Sequence, residues 1–338
     1  MQKDVHIIEE RIEKIAAPAP RHVLGRPSTM FKIARIFDYL FILRPPLFLP
    51  VWTVFACGYF VAPAAAAAPS SLAGDPLTLA IALTLLMGSA FILNQIVDVD
   101  TDKHNNKLFL LANGHIPVPV AVVQTVVLAL LPLAVAFAHD TGVGVLFVVI
   151  YLVTGVFYSM APFKWKDRAA PGLLANSLGA VLIFTAGWWA RVPGEWQALL
   201  ASLPYAAAVG AVYLLTTIVD RDGDALIGKR TFAVRYGVAS TLRAGLLLEI
   251  LALASAAFFS DALIFWPALA AVPLFIAALM KQTGSAIDRA IKFPILFLSI
   301  AVSVMWPFYA LLLLATFLLS KWYYHYRFGI SYPSLESQ

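Results

Sequence analysis

Two short acidic segments carry the side chains best suited to chemistry. Residues 96–102 and 218–224 both read I-V-D-x-D-x-D and lie 122 positions apart, an offset that also relates Lys107 to Lys229. On a helix, residues i and i+4 lie on one face, about 6 Å apart along the axis. Asp100 and Asp222 then point away from that face. Helical spacing predicts two stripes, formed by Asn94, Asp98 and Asp102 and by Asp220 and Asp224.

The stacked carboxylates favour a magnesium site. Neighbouring carboxylates repel one another unless a cation lies among them. Hard oxygen ligands suit Mg²⁺, which proteins hold through one or two carboxylates and the phosphates of a substrate. A solvated acidic loop is the alternative, and two matched clusters make it the weaker one. The candidate metal ligands and catalytic carboxylates are therefore Asn94, Asp98, Asp102, Asp220 and Asp224.

A calcium-binding EF-hand is excluded although D-x-D-x-D begins that loop. An EF-hand needs glycine at position 6 and glutamate at position 12. The corresponding residues here are Lys103 and Phe109 in the first copy, and Ala225 and Thr231 in the second.

Basic side chains beside these segments are candidates for binding a phosphate group. A clamp of one or two lysines on a diphosphate bridged by Mg²⁺ would use charge-assisted hydrogen bonds. The alternative for most of these lysines is an ordinary loop charge of a membrane protein. Arg44, at the start of an apolar stretch, either reaches the interface or serves a substrate. The candidate substrate-binding residues are Asn94, Arg44, Lys107, Tyr158, Lys164, Lys166, Lys229 and Arg230.

The elements that must position these residues are membrane helices. Apolar residues make up 61% of the 338 residues and charged residues 13%, with a mean hydropathy of +0.83. A helix needs about 20 apolar residues to span a bilayer. We therefore predict an all-α polytopic membrane protein, a single bundle of about nine helices with an internal parallel repeat. The predicted spans are 37–62, 77–97, 116–138, 143–161, 171–190, 198–219, 241–260, 262–280 and 291–319.

The distribution of lysine and arginine predicts the topology. Placing the N-terminus inside puts twenty of the 24 basic residues on the cytoplasmic side and leaves Arg191, Lys321 and Arg327 outside, in agreement with the positive-inside rule. The predicted organisation is a cytoplasmic arm over 1–36, a transmembrane domain over 37–320 and a tail over 321–338. The membrane explains the net charge of +5, so no nucleic-acid partner is expected, and the single Cys57 excludes a disulfide framework.

These motifs resemble those of the UbiA superfamily of intramembrane prenyltransferases. The family motif N-D-x-x-D-x-x-x-D corresponds to residues 94–102, with Gln95 in place of the usual first aspartate. A second motif, D-x-x-x-D followed by G-x-x-T and V-R-x-G, corresponds to Asp220, Asp224, Gly228, Thr231 and Val234 to Gly237. The segment 158–166 is similar to a third. The family's N-R-P-x-x-P-x-x-G is absent, since residues 106–114 have Lys107 for its arginine and no proline.

The resemblance implies the reaction. A lipid-embedded enzyme would use Mg²⁺ to bind an isoprenyl diphosphate donor and would transfer the isoprenyl group to a lipophilic or aromatic acceptor. Asn94 and the four aspartates would hold the metal, and Lys107, Lys164 and Lys166 would bind the diphosphate, with Lys229 and Arg230 as further candidates. Tyr158 would position the donor or steady a carbocation with its ring, or else anchor the helix at the interface. The expected location is a bacterial cytoplasmic membrane with the site facing the cytoplasm.

Other classes of membrane protein remain as alternatives. A cation-coupled transporter suits a parallel repeat, but transporters place their charges near the bilayer midplane, and the acids here lie at one face. A CDP-alcohol phosphotransferase would need D-G-x-x-A-R, and the chain departs from it after Asp222 and Gly223. A purely structural membrane protein has little use for two matched acidic stripes.

Overall fold

The protein is an all-helical bundle. The computed structural model describes residues 29–63, 75–99, 110–330 and 332, and within them the chain forms helices and no β-strand. In chain order the helices are α1 (Thr29–Ile36), α2 (Asp38–Phe41), α3 (Phe48–Val61), α4 (Pro76–Val97), α5 (Val118–His139), α6 (Thr141–Tyr151), α7 (Ala169–Trp189), α8 (Gln197–Ala201), α9 (Leu203–Val219), α10 (Arg221–Leu226), α11 (Phe232–Tyr236), α12 (Val238–Phe258), α13 (Ala262–Lys281), α14 (Gly284–Met305) and α15 (Pro307–Phe328).

The helices have the length and composition of membrane spans. Among the described residues, six helical segments are long and apolar enough to cross a bilayer. Two shorter apolar helices overlap the fourth and sixth predicted spans. The chain is therefore an integral multi-pass membrane protein, and the all-α prediction is confirmed. The six segments are Asp38–Val61, Pro76–Val97, Val118–His139, Ala169–Trp189, Val238–Phe258 and Ala262–Lys281.

The ninth predicted span, 291–319, was wrong as a single helix. The chain breaks at Trp306, which is extended with φ −139° and ψ 92°, and Pro307 begins a second helix of 22 residues. Proline supplies no backbone N–H and disfavours helical geometry in the residue before it. Residues 321–328, assigned to the tail, belong to this last helix.

The last helix returns to the side where the described chain begins. Arg327 near its end forms a buried ion pair with Asp38, with Nε 3.0 Å from Oδ1, and the Tyr323 hydroxyl donates to the same carboxylate at 2.8 Å. Lys321 and Arg327 were therefore placed on the wrong side in the sequence prediction. On the corrected side they join the twenty basic residues predicted on the side of the N-terminus. The charge asymmetry between the two sides is therefore larger than predicted.

Close contacts join α3, α7 and α9. A Cβ on Gly58 of α3 or Gly187 of α7 would collide with a backbone carbonyl of the other helix, so only glycine permits this crossing. On the other side of α7, Gly210 of α9 lies against Ser177. Helix α4 runs parallel to α9, because both end at the same face with an aspartate, Asp98 and Asp220.

Candidate active site

A cavity lies between α3, α4, α7 and α9. Its volume is about 690 Å³. The walls deeper in the bundle are apolar, and the side chains at one end are charged. The apolar lining includes Val51, Val54, Met87, Phe91, Ala180, Ile183 and Val209; the charged lining includes Arg44, Asp98, Lys166, Asp220, Asp224 and Lys229.

The first acidic segment enters the cavity at the end of α4. Asp98 follows the last residue of the helix and forms an ion pair with Lys166. One turn earlier, the side-chain nitrogen of Asn94 donates to the buried hydroxyl of Ser159 at 3.1 Å. Because this bond uses the amide nitrogen, the side-chain oxygen of Asn94 is the atom available to a cation.

Lys166 reaches Asp98 because a short 3₁₀ helix holds it. This turn spans Trp165–Asp167 and follows Lys164, whose φ of 41° reverses the chain. Trp165 packs on Phe157 with ring centroids 5.3 Å apart. The Lys166 side chain is only 8% exposed, and this burial lowers the pKa of its ammonium group while Asp98 opposes the shift.

The second acidic segment repeats the local structure of the first, since Asp220 (φ −90°, ψ 0°) ends its helix with nearly the same backbone angles as Asp98 (φ −94°, ψ 4°). Helix α9 ends before Asp220, and the short helix α10 begins directly after it. The Asp224 N–H still donates to the Asp220 carbonyl at 2.8 Å, so the i, i+4 relationship survives the break. Both carboxylates line the cavity, whereas Asp222 is exposed and lies outside the lining, as the spacing predicted.

Lys229 joins the two halves of the site. Its Nζ lies 3.5 Å from Asp224 and 3.7 Å from Asp167, which follows Lys166 in the 3₁₀ turn. Burial opposes its charge, but Asp224, Asp167 and Asp98 together raise the pKa of this lysine. The backbone N–H of Arg230 also donates to the Asp167 carbonyl at 2.8 Å, which fixes the two loops side by side.

Most of the predicted site residues that the structure describes meet in this cavity. They are Asn94, Asp98, Asp220, Asp224, Arg44, Tyr158, Lys166 and Lys229. Lys164 and Arg230 are exposed and do not line the cavity. Asp102 and Lys107 lie outside the described residues, so their roles stay predictions.

Five polar residues of the cavity were missed in the sequence analysis: Thr154, Asn176, Tyr213, Thr216 and Thr217. Tyr213 and Asn176 line its wall beside Tyr158, and Thr217 is buried in α9. Their signal was present, because each interrupts an otherwise apolar span, where polar residues are expensive and usually functional. Phe184 and Trp188 are buried and do not line the cavity, so they are packing residues.

The oxygen-bearing side chains fit a magnesium ion that is shared with a substrate phosphate. Among the described residues, no three carboxylate, histidine or cysteine side chains gather closely enough to hold a metal unaided. Asp98 and Asp224 are instead neutralised by lysines. Mg²⁺ commonly binds through one or two carboxylates together with phosphates. Thr231 adds a buried hydroxyl, without a partner among the described residues, to the same lining.

Comparison with known proteins gives relatives in plants and bacteria. The chain is 26% identical over 243 residues to 2-acyl-4-prenylphloroglucinol 6-prenyltransferase of Humulus lupulus, covering 64% of this chain and 58% of that protein. It is 32% identical over 160 residues to 4-hydroxybenzoate octaprenyltransferase of Cupriavidus necator, covering 46% and 55%. The chain thus spans little more than half the length of these two relatives.

The fold also matches a solved structure. A UbiA homologue from Archaeoglobus fulgidus, bound to DMAPP and Mg²⁺, superposes with a TM-score of 0.62 at 21% identity, covering 82% of this chain and 99% of that one. At the sequence level, the model of the UbiA prenyltransferase family matches residues 51–292, which include both acidic segments and the loop of Lys166. The chain therefore belongs to the UbiA prenyltransferase family.

Proposed function

We propose that the protein is a membrane prenyltransferase that moves an isoprenyl group from an isoprenyl diphosphate to an aromatic acceptor and releases pyrophosphate. The observation that carries this proposal is the division of one cavity into a charged end and an apolar body. A diphosphate head with a hydrocarbon chain has the same division. Apolar pockets with a few convergent polar groups are typical of such ligand sites.

The charged end is suited to magnesium and a diphosphate. Asn94, Asp98, Asp220 and Asp224 would hold Mg²⁺, and the sequence pattern adds Asp102. Bound there, Mg²⁺ would neutralise the negative charge that develops on the leaving pyrophosphate. The lysine partners of Asp98 and Asp224 would then be released toward the phosphate oxygens.

The chain's own cations and walls would carry the rest of the reaction. Lys166, Lys229 and Arg44 line the cavity and would bind the diphosphate, and Lys107 is added from the sequence. As the allylic C–O bond breaks, its electron pair leaves with pyrophosphate, and these cations stabilise that charge. The acceptor ring forms the new C–C bond and loses a proton. The apolar walls exclude water from the carbocation, and the Tyr158 ring faces the same space.

Aromatic acceptors are supported by the names of the relatives. The Cupriavidus protein is named for 4-hydroxybenzoate and the Humulus protein for a prenylphloroglucinol. Both are hydroxylated rings, whose electron density suits attack on an allylic cation. The apolar setting of the cavity favours an acceptor of this lipophilic kind.

A bacterial cytoplasmic membrane is the proposed location, with the charged end of the cavity on the cytoplasmic side. The basis is the excess of lysine and arginine on the side of the N-terminus, which marks cytoplasmic loops. Arg327 and Lys321, moved to that side by α15, agree with this orientation.

Turnover by the purified protein tests the proposal. Detergent-solubilised protein is incubated with DMAPP or geranyl diphosphate and with 4-hydroxybenzoate or an acylphloroglucinol, in Mg²⁺ or in EDTA, and products are identified by mass spectrometry. We expect a prenylated ring and pyrophosphate in the presence of Mg²⁺ and neither product in EDTA. Loss of product in Asp98→Ala and Asp220→Ala, with Asp222→Ala unchanged as the matched control, would support the assignment. Full activity in both cavity variants, or no diphosphate binding in Mg²⁺, would refute it.

A further inference from the structure

The turn that brings Arg44 to the cavity has an unfavourable backbone conformation. Arg44 has φ 56° and ψ 63°, which is the left-handed region, and it precedes Pro45. Non-glycine residues rarely adopt this region, and a residue before proline prefers extended geometry. Such a conformation persists only where surrounding contacts impose it, and these positions cluster at functional sites.

Gln95 of α4 supplies the most direct of these contacts. Its side chain is 2% exposed, and Nε2 donates to the Ile42 carbonyl at 2.7 Å and to the Phe91 carbonyl at 3.1 Å. The cavity lining includes its neighbour Asn94 but not Gln95. A carboxylate has no hydrogen to donate. The aspartate usual at this place in the motif could not make either bond when ionised.

Side-chain packing also holds the same turn against α4. Leu43 is 6% exposed, and a Cβ on Gly88 would lie 2.8 Å from Leu43 Cδ2. Glycine at position 88 thus leaves the space that Leu43 fills. Ile42 and Leu43, the two residues before Arg44, are both fixed to α4.

The other end of this segment is fixed by the last helix. Asp38, the first residue of α2, accepts hydrogen bonds from Tyr323 and Arg327, and all three side chains are buried. Phe41 stacks on Tyr323 with ring centroids 3.7 Å apart. Both α15 residues lie beyond the 51–292 range of the family match.

We infer that Gln95 is a positioning residue that holds Arg44 at the cavity, and that α15 fixes the opposite end of the same turn. Gln95 does not line the cavity, which distinguishes it from Asn94 and Asp98 of the same motif. The inference about Gln95 rests on the proposed function only for its effect on turnover. Its effect on the turn is independent of the reaction.

Hydrogen exchange tests the structural part without any substrate. Gln95→Met keeps the length of the side chain but removes the donor. Gln124→Met is the matched control, because Gln124 of α5 also donates to a carbonyl of this segment, that of Tyr39 at 2.8 Å, from a more exposed position. We expect amide exchange of peptides covering 41–48 to rise about tenfold in Gln95→Met and little in the control. Unchanged exchange in Gln95→Met would overturn the inference.

Kinetics test whether the effect acts through Arg44. Geranyl diphosphate and 4-hydroxybenzoate serve as probes. Arg44→Ala should raise the KM for geranyl diphosphate, and Gln95→Met is expected to raise the same KM by roughly tenfold. The kcat of Gln95→Met should stay within about threefold of wild type. Adding Gln95→Met to Arg44→Ala should then have no further effect on that KM, because the two residues act as one unit. Fully additive effects would show that Gln95 acts independently of Arg44. If the wild type has no turnover, the proposed function fails while the exchange result still decides the role of Gln95.

Discussion

The two acidic segments share a sequence but differ in how their charges are balanced. Asp98 pairs with Lys166, a buried lysine that lies 68 residues away in another loop. Asp224 pairs with Lys229, which lies five residues further along the same loop and also contacts Asp167. The first carboxylate therefore forms its ion pair with a distant lysine and interacts with Lys229 at longer range, whereas the cation of the second is paired with two carboxylates.

This difference predicts that the two halves of the site respond differently to mutation. In the first half the cation that pairs with Asp98 comes from the 3₁₀ turn of a distant loop. In the second half the cation that pairs with Asp224 follows it in the same loop and is also paired with Asp167. The first half should therefore be sensitive to packing, and the second should tolerate local change. Three comparisons of paired variants test this.

The largest effects are expected from the carboxylates. Asp98→Asn and Asp224→Asn should each lower kcat about 10²- to 10³-fold, because each removes a carboxylate that would hold Mg²⁺ at the diphosphate. Asp98→Asn should also lower the thermal midpoint of the purified protein about 3 °C more than Asp224→Asn does. The reason is that it leaves buried Lys166 without its carboxylate, while Lys229 keeps Asp167. Equal midpoints would remove the proposed difference between the halves.

Intermediate effects are expected from the two lysines. Lys166→Met should raise the KM for geranyl diphosphate about 30-fold and Lys229→Met about tenfold, since a more buried charge interacts more strongly with a phosphate. Steady-state kinetics in Mg²⁺ measure both values. Exposed Lys164→Met is the control, and its KM should stay within about twofold. A larger effect in Lys229→Met than in Lys166→Met would reverse the comparison.

The smallest effect is expected from the residue that links the halves. Asp167→Asn should lower the pKa of Lys229, because Asp167 is one of the carboxylates that raise it. The alkaline limb of kcat/KM against pH should then move to lower pH, with a change of less than about fivefold at pH 7. Asp222→Asn, which is exposed and lies outside the cavity, should leave the profile in place. An unchanged profile in Asp167→Asn would mean that Lys229 does not titrate in the reaction.

The break within the predicted span 291–319 shows why proline is an ambiguous signal in a membrane protein. Pro307 begins a new helix, but Pro132, Pro267 and Pro294 lie inside continuous helices of the same bundle. Neighbouring helices can compensate for the lost hydrogen bond. Whether a proline ends a helix thus depends on what packs around it.

The candidate site was predictable where its residues are close in sequence. Asn94, Asp98, Asp220 and Asp224 follow from i, i+4 spacing at the ends of apolar spans, and the structure brings them to one cavity. Tyr213 and Asn176 were visible only as polar interruptions of apolar stretches. No spacing rule selected Lys166 over Lys164, because the choice depends on a left-handed residue that turns one lysine inward and leaves the other exposed.

The sequence by itself determined that this protein is a helical membrane protein with two parallel acidic segments at one face, and it carried the motifs of its family. Hydropathy and helical period suffice for this because each helix satisfies its own backbone hydrogen bonds, and its own composition decides whether it enters the bilayer. Only the tertiary structure decided the pairing of Lys166 with Asp98, the role of Gln95 and the return of α15 to the N-terminal side. These depend on contacts between residues distant in the chain, whose geometry no local pattern records.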